Sequence, residues 1–271
     1  MRICTTKAEL ADALPTEGTI ALVMTMGALH DGHMSLVREA AAAADHVVVS
    51  IFVNPLQFGP GEDFEAYPRQ LDADVELLGD LVDVVFAPSD SEMYPREPLV
   101  RIDPGPVATV FEGKTRPTHF AGVLQVVHKV FNLVCPDVAF FGQKDAQQLA
   151  LIRTMVADLD MSLEIRAVPI RREDSGLAMS SRNAYLSDAE REDALTLSRA
   201  LRAGREAATD GPEAALAAAS GVVENSAIRL DYLALVDPNT FQPAESGAGL
   251  LIIAAWVGTT RLIDNLEVTL G

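Results

Sequence analysis

The sequence has few thiols and no long apolar run. Cys4 and Cys135 are its two cysteines, so no disulfide framework can form, and a reducing cytoplasm is predicted. No stretch approaches the ~20 consecutive apolar residues that cross a bilayer. The N-terminal residues MRICTTKAELADAL lack the basic and then apolar order of a secretion signal. A cytoplasmic globular protein is therefore expected, rather than a membrane protein or a secreted disulfide scaffold.

Positive charge is also scarce. The chain carries 21 Lys and Arg against 39 Asp and Glu, which gives a formal net charge of −18. Such a chain repels nucleic acid and anionic membranes, so neither is expected as a partner. An anionic substrate must then be received by a few well-placed cations. Each basic residue inside a motif is accordingly more informative here than in a neutral protein.

The stretch 20–38 contains the strongest local signal in the chain. Residues 20–23 form a short apolar run that predicts a buried strand, Gly27 and Gly32 predict a tight turn, and helical spacing begins at His33. A strand that leads through such a turn into a helix makes an anion site, because the first helical N–H groups are unpaired and lie at the positive end of the helix dipole.

Two histidines, His30 and His33, distinguish this turn from the common phosphate-binding loops. The sequence contains neither G-x-G-x-x-G nor G-x-x-x-x-G-K-[ST], and H-E-x-x-H with a third zinc ligand is also missing. A neutral imidazole at a helix N-terminus can donate an N–H to a phosphate as negative charge develops. Nucleotide chemistry with loss of pyrophosphate is favoured over a metal site and over histidines with a purely structural role.

Apolar runs and helical stretches alternate over the first two thirds of the chain. Strands are predicted at 46–53, 82–87, 138–141 and 163–170, and helices at 70–80, 120–134 and 145–159. This order indicates an α/β fold with a Rossmann-like parallel sheet, whose ligand lies at the carboxyl ends of the strands. The Pro-rich interval 88–106 is predicted to be loop.

The composition and the pattern of predicted elements change after residue 170. Residues 188–225 are Ala-rich and helical with a break near Gly211-Pro212, and strands are predicted at 229–236, 250–257 and 261–269. Short turns between the strands indicate an antiparallel sheet. We therefore expect two domains, a Rossmann-like domain at 1–170 and a smaller α+β domain at 171–271.

Four further clusters carry polar groups suited to a nucleotide and a small acid. Amides of Asn54 and Gln57 follow the second strand, where a plain turn is an equally good interpretation. Residues 59–69 are Gly/Pro-rich and acidic, which suits a lid. The other three clusters are 114–120 with Arg116, the strand end Gly142 followed by Gln143-Lys144-Asp145, and 176–183 with Ser180, Ser181 and Arg182. Each is weak alone, and together they favour a triphosphate site.

Five ordered blocks give the chain a resemblance to a known family. TMGALHDGH, SIFVNPLQF with AYPR, RPTHFAGV, FFGQKDAQQL and GLAMSSRN together resemble the pantoate–β-alanine ligase family of the H-I-G-H/K-M-S-K-S nucleotidylyltransferase superfamily. The resemblance implies an enzyme that forms pantoyl adenylate from pantoate and Mg·ATP and then condenses the acyl group with β-alanine, releasing AMP. It also implies a cytoplasmic homodimer, in which the domain at 1–170 binds ATP and pantoate and the domain at 171–271 closes over the active site.

The resemblance also implies roles for individual residues. His30, His33 and Lys144 would act in catalysis, with His33 as proton donor, and no residue is assigned as a direct metal ligand. Pantoate would contact Gln57 and Gln148, with Asn54 and Arg116 alongside. ATP would be held by Met26, Gly27, Ala28, Leu29, His30, Asp31, Gly32, His33, Gly142, Gln143, Lys144, Asp145, Arg171, Met179, Ser180, Ser181 and Arg182.

The sequence departs from the family pattern at a few positions. Met24 replaces a proline, Asp31 and Gln143 replace glutamates, and Arg171 stands where an apolar residue near adenine is usual. Two other functions stay open at this point. A transferase that joins a nucleotide to a phosphate ester would need further cations, and a non-catalytic nucleotide-binding module would not need His33, Lys144 and a lid together.

Overall fold

The computed structural model describes all 271 residues, and the chain folds into two compact units. The first unit contains Met1–Gly142 and Leu151–Val168, and the second contains Gln143–Ala150 and Pro169–Gly271. The segment with Lys144 and Gln148 is thus part of the second unit, although it lies well before residue 170 in the sequence. No helix combines the length and the hydropathy needed to cross a bilayer.

The first unit is built on a six-stranded parallel sheet in the order β1-β4-β3-β2-β5-β6. Its strands are β1 Arg2–Cys4, β2 Ile20–Thr25, β3 His46–Ile51, β4 Val84–Phe86, β5 Val138–Gly142 and β6 Glu164–Val168. Its helices are α1 Lys7–Ala13, α2 Asp31–Ala43, α3 Leu71–Leu78, α4 Asp90–Met93, α5 Glu112–Thr115 and α6 His119–Val134, followed by α7 Ala146–Asp158, which runs from the second unit into the first. The predicted Rossmann-like α/β fold is confirmed.

The order of the strands reverses at β2, the central strand of this sheet. From β2 the chain proceeds outward through β3 to β4 on one side, and β5 and β6 lie on the other side. Both faces of β2 are buried: Ala21, Leu22 and Val23 have no measurable exposure. Each such side chain stabilises the fold by about 1.5–3 kcal/mol if it is as large as valine or leucine. A reversal of this kind opens a crevice at the carboxyl ends of the strands beside it, here β2 and β5.

Three local features of the first unit differ from the sequence-based expectation. Helix α2 begins at Asp31 and not at His33, so Gly32 lies in the first helical turn. Strand β1 and helix α1 were not predicted, although Thr6 and Glu9 form a capping box at the start of α1, which is a sequence-readable signal. The Pro-rich interval 88–106 contains the short helix α4, capped by Ser89.

The second unit packs two helices against a three-stranded antiparallel sheet. The helices are α8 Asp188–Glu206 and α9 Pro212–Glu224, and the strands are β7 Arg229–Val236, β8 Gly247–Val257 and β9 Thr260–Leu270 in the order β7-β8-β9. Leu197 and Leu201 of α8 share one core with Leu251 and Ile253 of β8. The predicted antiparallel α+β arrangement, including the helix break at Gly211-Pro212, is confirmed.

Candidate active site

The turn between β2 and α2, residues 26–30, which we name the histidine turn, has an unusual backbone. Gly27 has φ +84° and Ala28 has φ +51°, so both lie in the left-handed region. This conformation directs the N–H groups of Ala28 and Leu29 to the same side, and the buried carboxylate of Asp74 on α3 accepts both, at 3.0 and 2.7 Å. Successive N–H groups of this kind form an anion-binding concavity. In this protein a carboxylate of the chain itself occupies it.

The two histidines cap helix α2. His30 is the N-cap residue, and its Nδ1 accepts the N–H of Gly32 at 3.1 Å. His33 lies three residues later, and its Nδ1 accepts the N–H of His30 at 3.4 Å. A ring nitrogen that accepts a hydrogen bond carries no proton, so each neutral imidazole carries its proton on Nε2. The ring centroids are 4.1 Å apart, so the two imidazole rings are in contact at the start of α2.

These contacts correct the physical basis that the sequence suggested for phosphate binding. The turn and the helix start were expected to offer unpaired backbone N–H groups, but those of Ala28, Leu29, His30 and Gly32 are bonded within the protein. Asp31 is exposed at the first helical position and pairs with Arg38 at 3.6 Å. These four backbone N–H groups therefore do not form the anion site that the sequence suggested, and the histidine side chains are the candidate groups of this segment.

Gln57 lies in a short 3-10 helix, Pro55–Gln57, directly after β3. The side chain is buried, and its Nε2 donates to the sulfur of Met26 in the histidine turn. Its Oε1 accepts the amide of Asn54 at 3.1 Å. The first unit thus brings together three predicted site residues, Met26, Asn54 and Gln57.

Asn54 uses its whole side-chain hydrogen-bonding capacity within the protein. Its amide nitrogen donates to Gln57 and to the carbonyl of Gly122, while its oxygen accepts from the N–H of Leu56 and the hydroxyl of Tyr94. Burial, with a smaller effect of the negative charge of Asp90, raises the pKa of Tyr94, so this hydroxyl remains a donor. With 1% exposure, Asn54 fixes the orientation of the Gln57 amide.

Gly122 lets helix α6 approach this amide cluster closely. A Cβ at this position would lie 2.1 Å from the carbonyl oxygen of Leu56, well inside van der Waals contact. The glycine of the R-P-T-H-F-A-G block is therefore required for packing, because any side chain would push α6 away from Gln57.

Arg116 links the segment 59–69 to the same cluster. Its Nε and an Nη bind the two carboxylate oxygens of Glu62, at 2.9 and 2.5 Å, and a further Nη donates to His119. His119 in turn donates from Nδ1 to the carbonyl of Gln57 at 3.0 Å. The Arg116 guanidinium thereby holds Glu62 in place beside the amide cluster.

We expect Glu62→Gln to loosen the segment 59–69. Burial raises the pKa of Glu62, but the hydrogen bond and charge of Arg116 outweigh it, so the pKa is lowered overall. The ion pair is therefore intact at neutral pH and is lost only as the pH falls through the lowered pKa of this carboxyl group. The variant should show a several-fold faster amide hydrogen exchange over 59–69 at neutral pH. Glu65→Gln, an exposed position of the same segment, is the matched control, and equal exchange in both variants would contradict a role for the pair.

The second unit contains the turn Gln143–Asp145, which we name the lysine turn, as a 3-10 helix leading into α7. Lys144 is partly buried, with its Nζ 4.0 Å from the carboxylate of Asp145. Gln143 donates to Glu267 of β9 at 3.0 Å. Gln148 is half-buried on the first turn of α7.

Residues 171–185 form a compact hairpin and a short helix within the second unit. Arg172 and Ala178 pair as an antiparallel bridge, and the N–H of Met179 donates to the carbonyl of Arg171 at 3.0 Å. Ser180 caps a 3-10 helix at Ser181–Tyr185, so this predicted loop is ordered by regular hydrogen bonds. A cavity of this unit is lined by Lys144, Ser180, Asn183 and Asp264, among others, and so places Lys144 near the Ser-Ser-Arg segment.

Sequence reasoning gave no role to four polar residues that hold these segments. Asp74 binds the histidine turn, and Asn183, Asp264 and Asn265 are buried beside the lysine turn and the 171–185 segment. Of the four, only Asn183 lies within a sequence motif, as the last residue of GLAMSSRN. The other three lie far along the chain from the groups they hold, and no local pattern marks them.

The match to known proteins covers nearly the whole chain. A family model described as pantoate-beta-alanine ligase matches residues 2–267. The chain belongs to the pantoate-beta-alanine ligase family. A pantothenate synthetase of Thermobifida fusca is 52% identical, with 99% of this chain and 96% of the relative covered, and one of Salinispora arenicola is 54% identical, with 98% and 97% covered.

Solved structures of this family have the same fold. A pantothenate synthetase from Thermus thermophilus superposes with a TM-score of 0.96 at 47% identity, covering 99% of this chain and 100% of that one. A pantoate-beta-alanine ligase from Francisella tularensis, complexed with beta-gamma ATP and beta-alanine, gives a TM-score of 0.82 at 35% identity, covering 98% and 97%. The family membership and ligase class expected from the sequence blocks are confirmed.

Proposed function

We propose that this chain makes pantothenate from pantoate and β-alanine by way of pantoyl adenylate. As a pantoate–β-alanine ligase it uses ATP and releases AMP and pyrophosphate. The main support for placing the reaction in the first unit is the pair of Nε2–H donors on His30 and His33. These residues follow the carboxyl end of β2, where the strand order reverses.

The first step joins the carboxylate of pantoate to the α-phosphorus of ATP. An oxygen of pantoate forms the new bond to phosphorus, and the bond to the bridging oxygen breaks with departure of pyrophosphate. We assign the His30 and His33 Nε2–H groups and the Lys144 ammonium to the phosphate oxygens, where negative charge increases in the transition state. His33 is assigned as the proton donor.

The second step releases AMP. The neutral amine of β-alanine attacks the acyl carbon, the bond to the phosphate oxygen breaks, and the amine loses a proton as the amide forms. No protein nucleophile is required, because the activated intermediate forms on the substrate. The acyl adenylate must be kept from water, and the buried side chains of Phe52, Val126, Val127 and Phe141 provide apolar surroundings.

Pantoate recognition is assigned to the amides of Gln57 and Gln148. A primary amide donates to a carboxylate and accepts from a hydroxyl, which suits a small hydroxy acid. Gln57 is also assigned to β-alanine. Asn54 supports this role by fixing the Gln57 side chain, and Arg116 supports it through Glu62 and His119.

The nucleotide is assigned to the remaining motif residues. Met26 to His33, Gly142 to Asp145 and Met179 to Arg182 would line ATP, and the main chain of Arg171, already bonded to Met179, would border adenine. The chain brings no three His, Cys, Asp or Glu side chains together as metal ligands. Mg²⁺ is proposed as the ion that accompanies ATP, and Asp145 is the carboxylate of the lysine turn that would hold it. The ion would neutralise phosphate charge.

The enzyme is proposed to work in the cytoplasm as a homodimer. Neither nucleic acid nor a membrane is proposed as its partner. The two cysteines support a reducing compartment, since Cys4 is buried, Cys135 is exposed and neither forms a disulfide. The net charge of −18 opposes binding to polyanions.

The decisive experiment measures AMP and pyrophosphate formed from ATP with each acid and amine omitted in turn. Pyrophosphate should require pantoate, and multiple-turnover AMP formation should require both pantoate and β-alanine. Pantothenate should appear in equal amount to AMP. Turnover with a phosphate ester in place of pantoate would instead indicate a nucleotidylyltransferase, and ATP binding without turnover would indicate a binding module.

A further inference from the structure

We propose that Asn265 is a positioning residue that sets the direction of the Lys144 side chain. This inference rests on the proposed role of Lys144 in binding ATP phosphates. It concerns a residue on the last strand, β9, that belongs to none of the motifs.

The side-chain amide of Asn265 holds both peptide groups that flank Lys144. Its Nδ2 donates to the carbonyl of Gln143 at 2.9 Å and to the carbonyl of Lys144 at 2.9 Å. These carbonyls belong to the peptide planes before and after the Cα of Lys144. Since φ and ψ of a residue are the rotations between those two planes, fixing both planes fixes the direction of its side chain.

Asn265 is itself held firmly. The residue is 5% exposed, and its N–H donates to the carboxylate of Asp264 at 2.8 Å. Asp264 forms a two-point ion pair with Arg172, at 2.7 and 2.9 Å, and the same guanidinium donates to the Asn265 carbonyl at 3.3 Å. The backbone of Asn265 is thus bonded on both sides, so its amide is a rigid anchor for the lysine turn.

The same ion pair links this anchor to the Ser-Ser-Arg segment. Arg172 donates to the carbonyl of Gly176, and its strand-like pairing with Ala178 leads directly into Met179–Arg182. The pair Asp264-Asn265 on β9 therefore holds two segments of the second unit that carry proposed phosphate-binding groups. This explains why the lysine turn belongs to the second unit although the strand before it belongs to the first.

A double-mutant cycle separates this role from a general effect on folding. Asn265→Ala, Lys144→Ala and the double variant are compared by the single-turnover rate of pyrophosphate release. Asn265→Ala alone should lower the rate about 10-fold or more, with pantoate KM changed less than about threefold. In the Lys144→Ala background the same substitution should change the rate less than about threefold. Thr269→Ala, an exposed position of β9, should leave the rate unchanged.

A second, more conservative variant tests the proposal in case Asn265→Ala does not fold. Asn265→Ser keeps one donor, and its loss of rate should lie between those of the wild type and Asn265→Ala, and should also vanish when Lys144 is absent. Thermal unfolding of each variant is measured alongside. The proposal would be overturned if Asn265→Ala lowered the rate by the same factor with and without Lys144. Normal turnover by folded Asn265→Ala would also overturn it. If Lys144→Ala itself retains full activity, the assignment of Lys144 fails first, and the two failures are distinguishable.

Discussion

Lys144→Ala is expected to lower the rate of pyrophosphate release by about 100-fold or more while the protein remains folded. Lys144 is a partly buried cation in a chain with a net charge of −18, and its nearest ionic contact is Asp145 at 4.0 Å. Removing a group that stabilises transition-state charge costs roughly 3–4 kcal/mol. No hydrogen bond from the ammonium is needed for the turn itself, because Asn265 holds the main chain. The rate is measured in a single turnover with ATP and pantoate.

Two further substitutions separate the effect of the position of Lys144 from the effect of its charge. Lys144→Arg retains the charge with different geometry, so it should lose less than the alanine variant. Arg153→Ala removes an exposed cation from α7, the helix that follows the lysine turn, and should leave turnover near the wild-type value. If Arg153→Ala and Lys144→Ala were equally impaired, the effect would reflect the overall charge of this acidic chain and not a placed ammonium.

The parts of the fold that the sequence predicted are those specified by local patterns. Strand β7 was predicted at its observed bounds, 229–236, because its residues are rich in strand formers and lie between turn signals. The break between α8 and α9 was marked by Gly211-Pro212. The start of α2 was misplaced by two residues, because its N-cap is His30 and histidine is not among the residues that usually cap helices.

The supporting part of the candidate site could not be predicted in the same way. Asp74 accepts N–H groups of residues 45 and 46 positions earlier, and Asn265 binds carbonyls 121 and 122 positions earlier. Such contacts depend on which strands and helices become neighbours, and neither hydrophobic periodicity nor turn chemistry encodes that. Motifs show which groups do chemistry, whereas the groups that orient them are recognised only once the chain is folded.

Removing the Nε2–H donors of the histidine pair should impair adenylate formation without weakening pantoate binding. His30 and His33 each use Nδ1 to cap α2, so an alanine variant loses a helix cap as well as a donor. Loss of a cap costs about 1 kcal/mol of stability. Substitutions that retain the capping acceptor are therefore needed to isolate the effect on the reaction.

His30→Asn provides that separation for the first histidine. Asparagine is a strong N-cap residue and should accept the Gly32 N–H, but its short side chain does not place an N–H where imidazole Nε2 lies. We expect its midpoint of thermal unfolding to stay close to that of the wild type while pyrophosphate release falls about 100-fold. His33→Gln retains an acceptor three residues after the N-cap, as in an ordinary capping box, and keeps an amide donor, so it should lose less rate than His33→Ala.

The assignment depends on comparing rate, pantoate affinity and stability for four variants, His30→Asn, His30→Ala, His33→Gln and His33→Ala. Pantoate binding is titrated in the presence of a non-hydrolysable ATP analogue, and unfolding is followed by heat. If each histidine donates to the phosphate, the rate should fall in all four variants, with pantoate affinity changed little. If His30→Asn and His33→Gln restored the rate along with the stability, both histidines would act as helix caps alone. The phosphate charge would then have to be met by Lys144 and the Ser-Ser-Arg segment without them.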